Sequence, residues 1–357
     1  MKEISDIIKT YNDLDLSNTK VALATVIYVE GSSYRRSGAR MLVQDNGVWM
    51  GGISGGCLEG DALKKANYCI ARNKVDVVRY DTSNEDEEQI GAGLGCEGII
   101  DVLLSPIVQE DEKNPIRILE SCLDDRKINC LITIISSDVN GLSAGEMYKF
   151  DPSLSLPDPL VADIHSALNS GRSCVKTYEQ LSVFIEILPP TLHLVLFGSS
   201  YDIYPLLRLG NELGWKMSVV TNPSKASNKM KRLSTQIYAK EEVVPYDDFT
   251  AFVLMAHDYQ TDKDNLLMAL QSDVPYVGML GPLKRRNKSL RELQQEGHFF
   301  TEKQLQRLYN PIGLDIGSSA PEEIALAILA EIKAHFSNRN GGFLKAKMGT
   351  IHERIEF

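Results

Sequence analysis

Cysteine is scarce in this chain: six in 357 residues, and no two of them stand at a Cys-x-x-Cys spacing. That excludes a disulfide framework and supplies no ligand set for structural zinc or an iron–sulfur cluster. Each thiol is then either a small buried apolar residue or a group with chemistry to do. Long apolar runs are also missing, so no membrane association is expected. The start, MKEISDIIKTYNDLD, is polar and amphipathic, unlike a signal or transit peptide, and the expected location is cytoplasmic. Positive charge is in deficit: 38 Lys and Arg against 48 Asp and Glu leave a net charge of −10. With KRR at 284–286 as the longest basic run, nucleic acid is not an expected partner.

What is present is enough for a folded protein of two or three domains. An amphipathic helix from Glu3 to about Asp13 precedes VALATVIYVEG (21–31), which has the β-branched richness of a buried strand. MLVQDNGVWMGG is a hairpin signal, with Asn46-Gly47 supplying the turn. Helix, strand, an acidic stretch (NEDEEQIG) and another strand (GIIDVLLSPI) follow, and residues 111–190 are less regular. The chain thus reads as α/β, opening with an N-terminal α+β domain (1–190) that carries a mixed, largely antiparallel sheet. From 191 to 336, strands and helices alternate as in a Rossmann-like doubly wound parallel sheet. Pro189-Pro190 marks the boundary, and 337–357 forms a C-terminal tail.

Two glycine knots, GGISGGCLEG at 51–60 and GAGLGCEG at 91–98, each present one cysteine. Glycines let successive backbone N–H groups converge, and the helix expected after the first knot adds its positive end. An anion suits Gly52, Gly55 and Gly56, and the same field favours thiolate at Cys57, at or next to the helix start. The alternative is a set of tight turns with Cys57 filling a gap. Cys96, beside Gly95, repeats the chemistry within the same domain. Two such thiols are soft ligands for a metal, or a pair able to pass sulfur or form a disulfide. Cys69, Cys122, Cys130 and Cys174 fall in helical or strand contexts and read as buried or incidental. GSSYRRSGAR adds Arg35 and Arg36 as candidates for phosphate recognition, in a loop joined to the first knot by the hairpin.

In the second half, FGSSYDIY stands where a dinucleotide fold carries its glycine fingerprint. Gly198 is followed by Ser199 and Ser200, position 203 is Ile, and the next strand ends in Thr221-Asn222 rather than an acid. Two of three glycines and the ribose ligand are absent, which argues against NAD. Another anion remains open at Gly198 and Ser199. His257-Asp258, after the strand AFVLMA, reads as a ligand contact or a polar cap at the strand end.

In this order the segments resemble the XdhC/CoxI family. GSSYRRSGARMLV is similar to its GSxPRxPGAxM segment, with Tyr34 and Ser37 in place of prolines. GGISGGCLEG and GLGCEG resemble its two cysteine motifs, and MAHDYQTD, DVPYVGMLGP and PIGLDIGSSAPEEIA its C-terminal domain. The family's second domain usually begins GAGHVA, where this chain has GSSYDI. The resemblance implies a chaperone for molybdenum cofactor (molybdopterin) that binds and shields it, rather than the dehydrogenase itself. Its implied partners are a cysteine desulfurase, which replaces an oxo ligand by sulfido, and the apo-enzyme of a xanthine dehydrogenase-type molybdenum hydroxylase. It also implies a homodimer, with Cys57 and Cys96 as the family's cysteines and metal ligands. Two alternatives stand beside it: an oxidoreductase using NAD(P) or thiol chemistry, and an interaction protein that has lost its ligand site.

Overall fold

The structure, a computed structural model, describes residues 1–31, 33–81, 98–111 and 113–347. The chain divides into two compact units between Pro190 and Thr191. The first opens with α1 (Lys2–Asn12), β1 (Val21–Gly31), β2 (Arg40–Gln44), β3 (Trp49–Gly51), α2 (Glu59–Arg72), β4 (Asp76–Asp81) and β5 (Gly98–Ile107). It continues through α3 (Pro115–Glu120), β6 (Asn129–Ser137), β7 (Met147–Lys149), α4 (Asp158–Ser170), β8 (Cys174–Thr177) and β9 (Leu181–Leu188).

These strands make two sheets, in the orders β3-β2-β1-β5-β4 and β7-β6-β9-β8, with antiparallel pairing throughout. The largely antiparallel character expected of this half is found, in two sheets instead of one mixed sheet. The apolar run of β1 follows from burial on both faces. Ala22, Ala24 and Val26 pack with Ala62 and Ala66 of α2. Val21 and Leu23 face the other way, joining Ile4, Ile7 and Ile8 of α1 and Leu131 of β6 in a second core. The buried residues of α1, at positions 4, 7, 8 and 11, form the single apolar stripe of an amphipathic helix. Gly47, with φ +89°, makes the turn before β3 that Asn46-Gly47 leads one to expect.

The second unit contains β10 (His193–Phe197), α5 (Ile203–Glu212), β11 (Lys216–Val220), α6 (Asn228–Leu233), β12 (Gln236–Tyr238), β13 (Thr250–Leu254) and α7 (Tyr259–Gln271). It ends with β14 (Tyr276–Met279), α8 (Leu283–Gln295), α9 (Glu302–Gln306), β15 (Leu308–Tyr309) and α10 (Pro321–Phe336). Its six strands are parallel in the order β12-β11-β10-β13-β14-β15. α5 and α10 cover one face, and α7 and α8 the other. This is the doubly wound arrangement expected from sequence, with its strand order reversing between β10 and β13. Ligands of such folds bind in the crevice at that reversal. No helix among the described residues is long and apolar enough to cross a membrane.

Candidate functional site

The first cysteine loop is built around a carboxylate that sequence reading passed over. Glu59, the first residue of α2, is buried and accepts hydrogen bonds from the amides of Ile53 (3.1 Å) and Ser54 (2.8 Å) and from the Ser54 hydroxyl. Ser54 Oγ in turn accepts from the amides of Gly56 (3.3 Å) and Leu58 (3.1 Å). Several of the converging N–H groups are therefore taken by the chain's own oxygens. The Gly55 and Cys57 amides lie outside this network. Burial alone would raise the Glu59 pKa, but the Ser54 hydroxyl and the amides of Ser54, Glu59 and Ile53 outweigh it, and the carboxyl sits below its ordinary value. The Ser54–Glu59 spacing of five residues was the available signal.

Cys57 precedes the N-cap of α2, Leu58, and is exposed. Gly56, with φ +111°, turns the chain into it. Among the other described cysteines, Cys69, Cys122 and Cys130 are buried and Cys174 is half-buried. Burial raises the pKa of each, and pushes Cys130 up to about 12. Only Cys57, among the described cysteines, is exposed. Its expected partner, Cys96, and the neighbouring Gly95 lie outside the described residues.

The arginine loop does lie against the cysteine loop, and Tyr34 makes the contact. A Cβ on Gly55 would fall 3.5 Å from the Tyr34 ring, which is otherwise largely exposed. Beside it opens a cleft of about 500 Å³ lined by Tyr34, Arg35, Arg36, Glu3 of α1 and Glu186 of β9. Arg35 Nη2 pairs with Glu3, so one candidate phosphate ligand already holds a carboxylate. Arg36 lines the cleft. Behind the wall, fully buried Arg40 forms a two-pronged ion pair with Glu186 and donates from Nη1 to the Gly38 carbonyl at 2.8 Å. Glu3, Arg40 and Glu186 belong to distant stretches of chain, and no local motif marks them.

In the second unit, Gly198 marks a close approach of backbones. A Cβ there would come within 2.5 Å of the Met255 carbonyl oxygen at the end of β13. Ser199 follows it in the turn before α5. His257 adopts φ +60° and its Nε2 lies 2.6 Å from Oδ2 of Asp202, the N-cap residue of α5. Oδ1 of Asp202 is buried without a hydrogen-bond partner among the described residues. The His-Asp pair that forms is therefore His257 with Asp202. Asp258 caps α7 instead, accepting from the Thr261 amide at 2.8 Å, and that hydrogen bond lowers its pKa. Asn222, where a dinucleotide fold has its ribose acid, caps a short 3₁₀ turn by accepting from the Ser224 amide at 3.0 Å. Asp262 is buried, accepts from the Ala256 amide at 2.9 Å and pairs with Arg285 at 2.5 Å; burial raises its pKa. Among the described residues no group of three or more His, Cys, Asp or Glu could hold a metal ion.

Comparisons with known proteins fall on both units. Residues 16–81 match the XdhC and CoxI family, and residues 194–332 match the XdhC Rossmann domain. A Bacillus subtilis protein, named as a probable subunit of xanthine dehydrogenase, is 29% identical over 323 residues, covering 88% of this chain and 92% of that protein. An Escherichia coli protein named "Molybdenum cofactor insertion chaperone PaoD" is 21% identical over 318 residues, covering 89% and 84%. A crystal structure from Bacillus halodurans, described as that of a xanthine dehydrogenase, superposes with a TM-score of 0.75 at 26% identity, covering 95% of this chain and 97% of the other.

Proposed function

The chain belongs to the XdhC and CoxI family, and from that premise we propose that it is an accessory factor that binds molybdenum cofactor, shields it and hands it to an apo-enzyme. The observation that carries this reading is the exposed Cys57 thiol, held next to the Tyr34–Arg36 loop through the Tyr34–Gly55 contact. A thiolate is a soft ligand suited to a metal already bound by sulfur. The cleft beside Tyr34 offers guanidinium and carboxylate groups to the polar parts of the cargo. These residues fit the group chemically. In this reading Cys57 holds the metal end, with Cys96 as its partner, and Arg36 serves the phosphate. PaoD, similar to this chain over most of its length, is named for the same task.

The partners in this reading are a molybdenum hydroxylase of the xanthine dehydrogenase type and a cysteine desulfurase that sulfurates the cargo. A homodimer in the cytoplasm completes it. Anaerobic purification from cells making molybdopterin tests the binding: wild type retains pterin in stoichiometric amount, and Cys57→Ser and Cys96→Ser lose most of it. Wild-type protein that emerges free of pterin would overturn the reading.

A further inference from the structure

Glu3 and Arg35 stand side by side on the wall of the cleft. A carboxylate has about four lone-pair sites. The Arg40 amide donates to Glu3 Oε1 at 3.1 Å, and Arg35 Nη2 donates to Oε2. The wall thus presents an acceptor and a donor in fixed order, with Glu186 deeper and the Tyr34 ring at the mouth. That order complements one planar edge in particular, the 2-amino-4-oxopyrimidine of a pterin. A carboxylate accepts from its 2-amino group and N3–H, while a guanidinium donates to O4 and N5. The second contact is geometrically the fork with which arginine reads O6 and N7 of guanine.

We propose that this cleft seats the pterin ring, with Glu3 and Arg35 reading its amino-oxo edge and Tyr34 lying against its face. The inference rests on the cofactor-binding reading above and adds where the ring goes. The volume, about 500 Å³, is that of a small-molecule site. Tyr34 lines the cleft and also stands against Gly55, two residues before Cys57, so one residue links the cleft to the cysteine loop. An aromatic platform and a polar edge reader divide the work in the usual way: the first gives contact area, the second gives discrimination.

Fluorescence titration with 6-hydroxymethylpterin, which carries neither dithiolene, phosphate nor metal, tests the seat alone. Saturable binding is expected, at least about tenfold tighter than that of 6-hydroxymethyllumazine, which has oxo in place of the amino group. Glu3→Gln should weaken pterin binding about tenfold and bring the two ligands closer together. Tyr34→Ala, on the exposed rim, should weaken both, and circular dichroism of each variant checks its fold. Equal affinity for pterin and lumazine, or no saturable binding, would overturn the proposal. If wild type retains molybdopterin yet ignores hydroxymethylpterin, the cleft is wrong and the function stands. If hydroxymethylpterin binding depends on Glu3 while no molybdopterin is retained, the cleft stands and the function falls.

Discussion

Arg40 of β2 and Glu186 of β9 join the two sheets of the first unit through a buried ion pair, with Nη1 3.0 Å from Oε1 and Nη2 bonded to Oε2. Removing either partner leaves the other charge buried alone, which costs about 3–5 kcal/mol. Arg40→Ala and Glu186→Ala should therefore each lower stability by that amount in urea unfolding. Arg40→Met with Glu186→Leu, which removes both charges and keeps the volume, should cost much less. A double variant as unstable as the single ones would mean that lost packing, and not an orphaned charge, sets the cost.

Cys57 should be the first of the described cysteines to react. Brief treatment of the folded protein with iodoacetamide at neutral pH, followed by peptide mapping, should label Cys57 well ahead of Cys69, Cys122, Cys130 and Cys174. Burial shields the last four or raises their pKa. Comparable labelling of Cys130 and Cys57 would mean that the first unit opens readily.

The Glu59 carboxylate gives the cysteine loop a sensitivity to acid. Its folded pKa lies below the ordinary value of 4.5, so its contribution is complete above about that pH. It fades as pH falls through the lower folded value, where the carboxyl takes up a proton. Glu59→Gln should reduce stability at pH 7 by about 1–3 kcal/mol, since amides of Ile53 and Ser54 lose a charged acceptor. It should also flatten stability against pH below that range. A variant that loses stability at pH 7 while keeping the wild-type acid slope would place that slope elsewhere.

Gly198 has no room for a side chain, because the Met255 carbonyl occupies the space. Gly198→Ala should cost about 1–3 kcal/mol, read from thermal or urea unfolding. Gly60→Ala, in α2 where a Cβ meets nothing within 4 Å, is the control and should be neutral or slightly stabilising.

Much of the fold could be read from local pattern. Four strands of the second unit, β10, β11, β13 and β14, are short apolar runs followed by Gly, His or Asn, and β1 is a long one because both its faces are covered. Strand β8 was harder to see: CVKT is four residues long and only half-buried, so it carries no periodic signal of its own. The short pair α9 and β15 escaped for the same reason. At the candidate site, Cys57, Arg35 and Arg36 announced themselves through flanking glycine and small residues. Their partners did not. Glu3 lies 32 residues from Arg35, Asp202 lies 55 from His257, and Glu186 lies 146 from Arg40. Asp258 was the natural partner for His257 by adjacency, yet its oxygen is spent on the first turn of α7. Pairing across such separations is created by sheet topology, and no local spacing encodes it.

The buried pair at the rear of the cleft also constrains how anything gets in. Glu186 is both a cleft wall and half of the clamp between the sheets. Sliding the sheets apart would strip two charges of their partners, a barrier far above thermal energy. The rear wall is thus an anvil, whereas the 33–39 loop carries no such buried pair across the sheets among the described residues. Tyr34, 74% exposed, is the wall residue with room to swing.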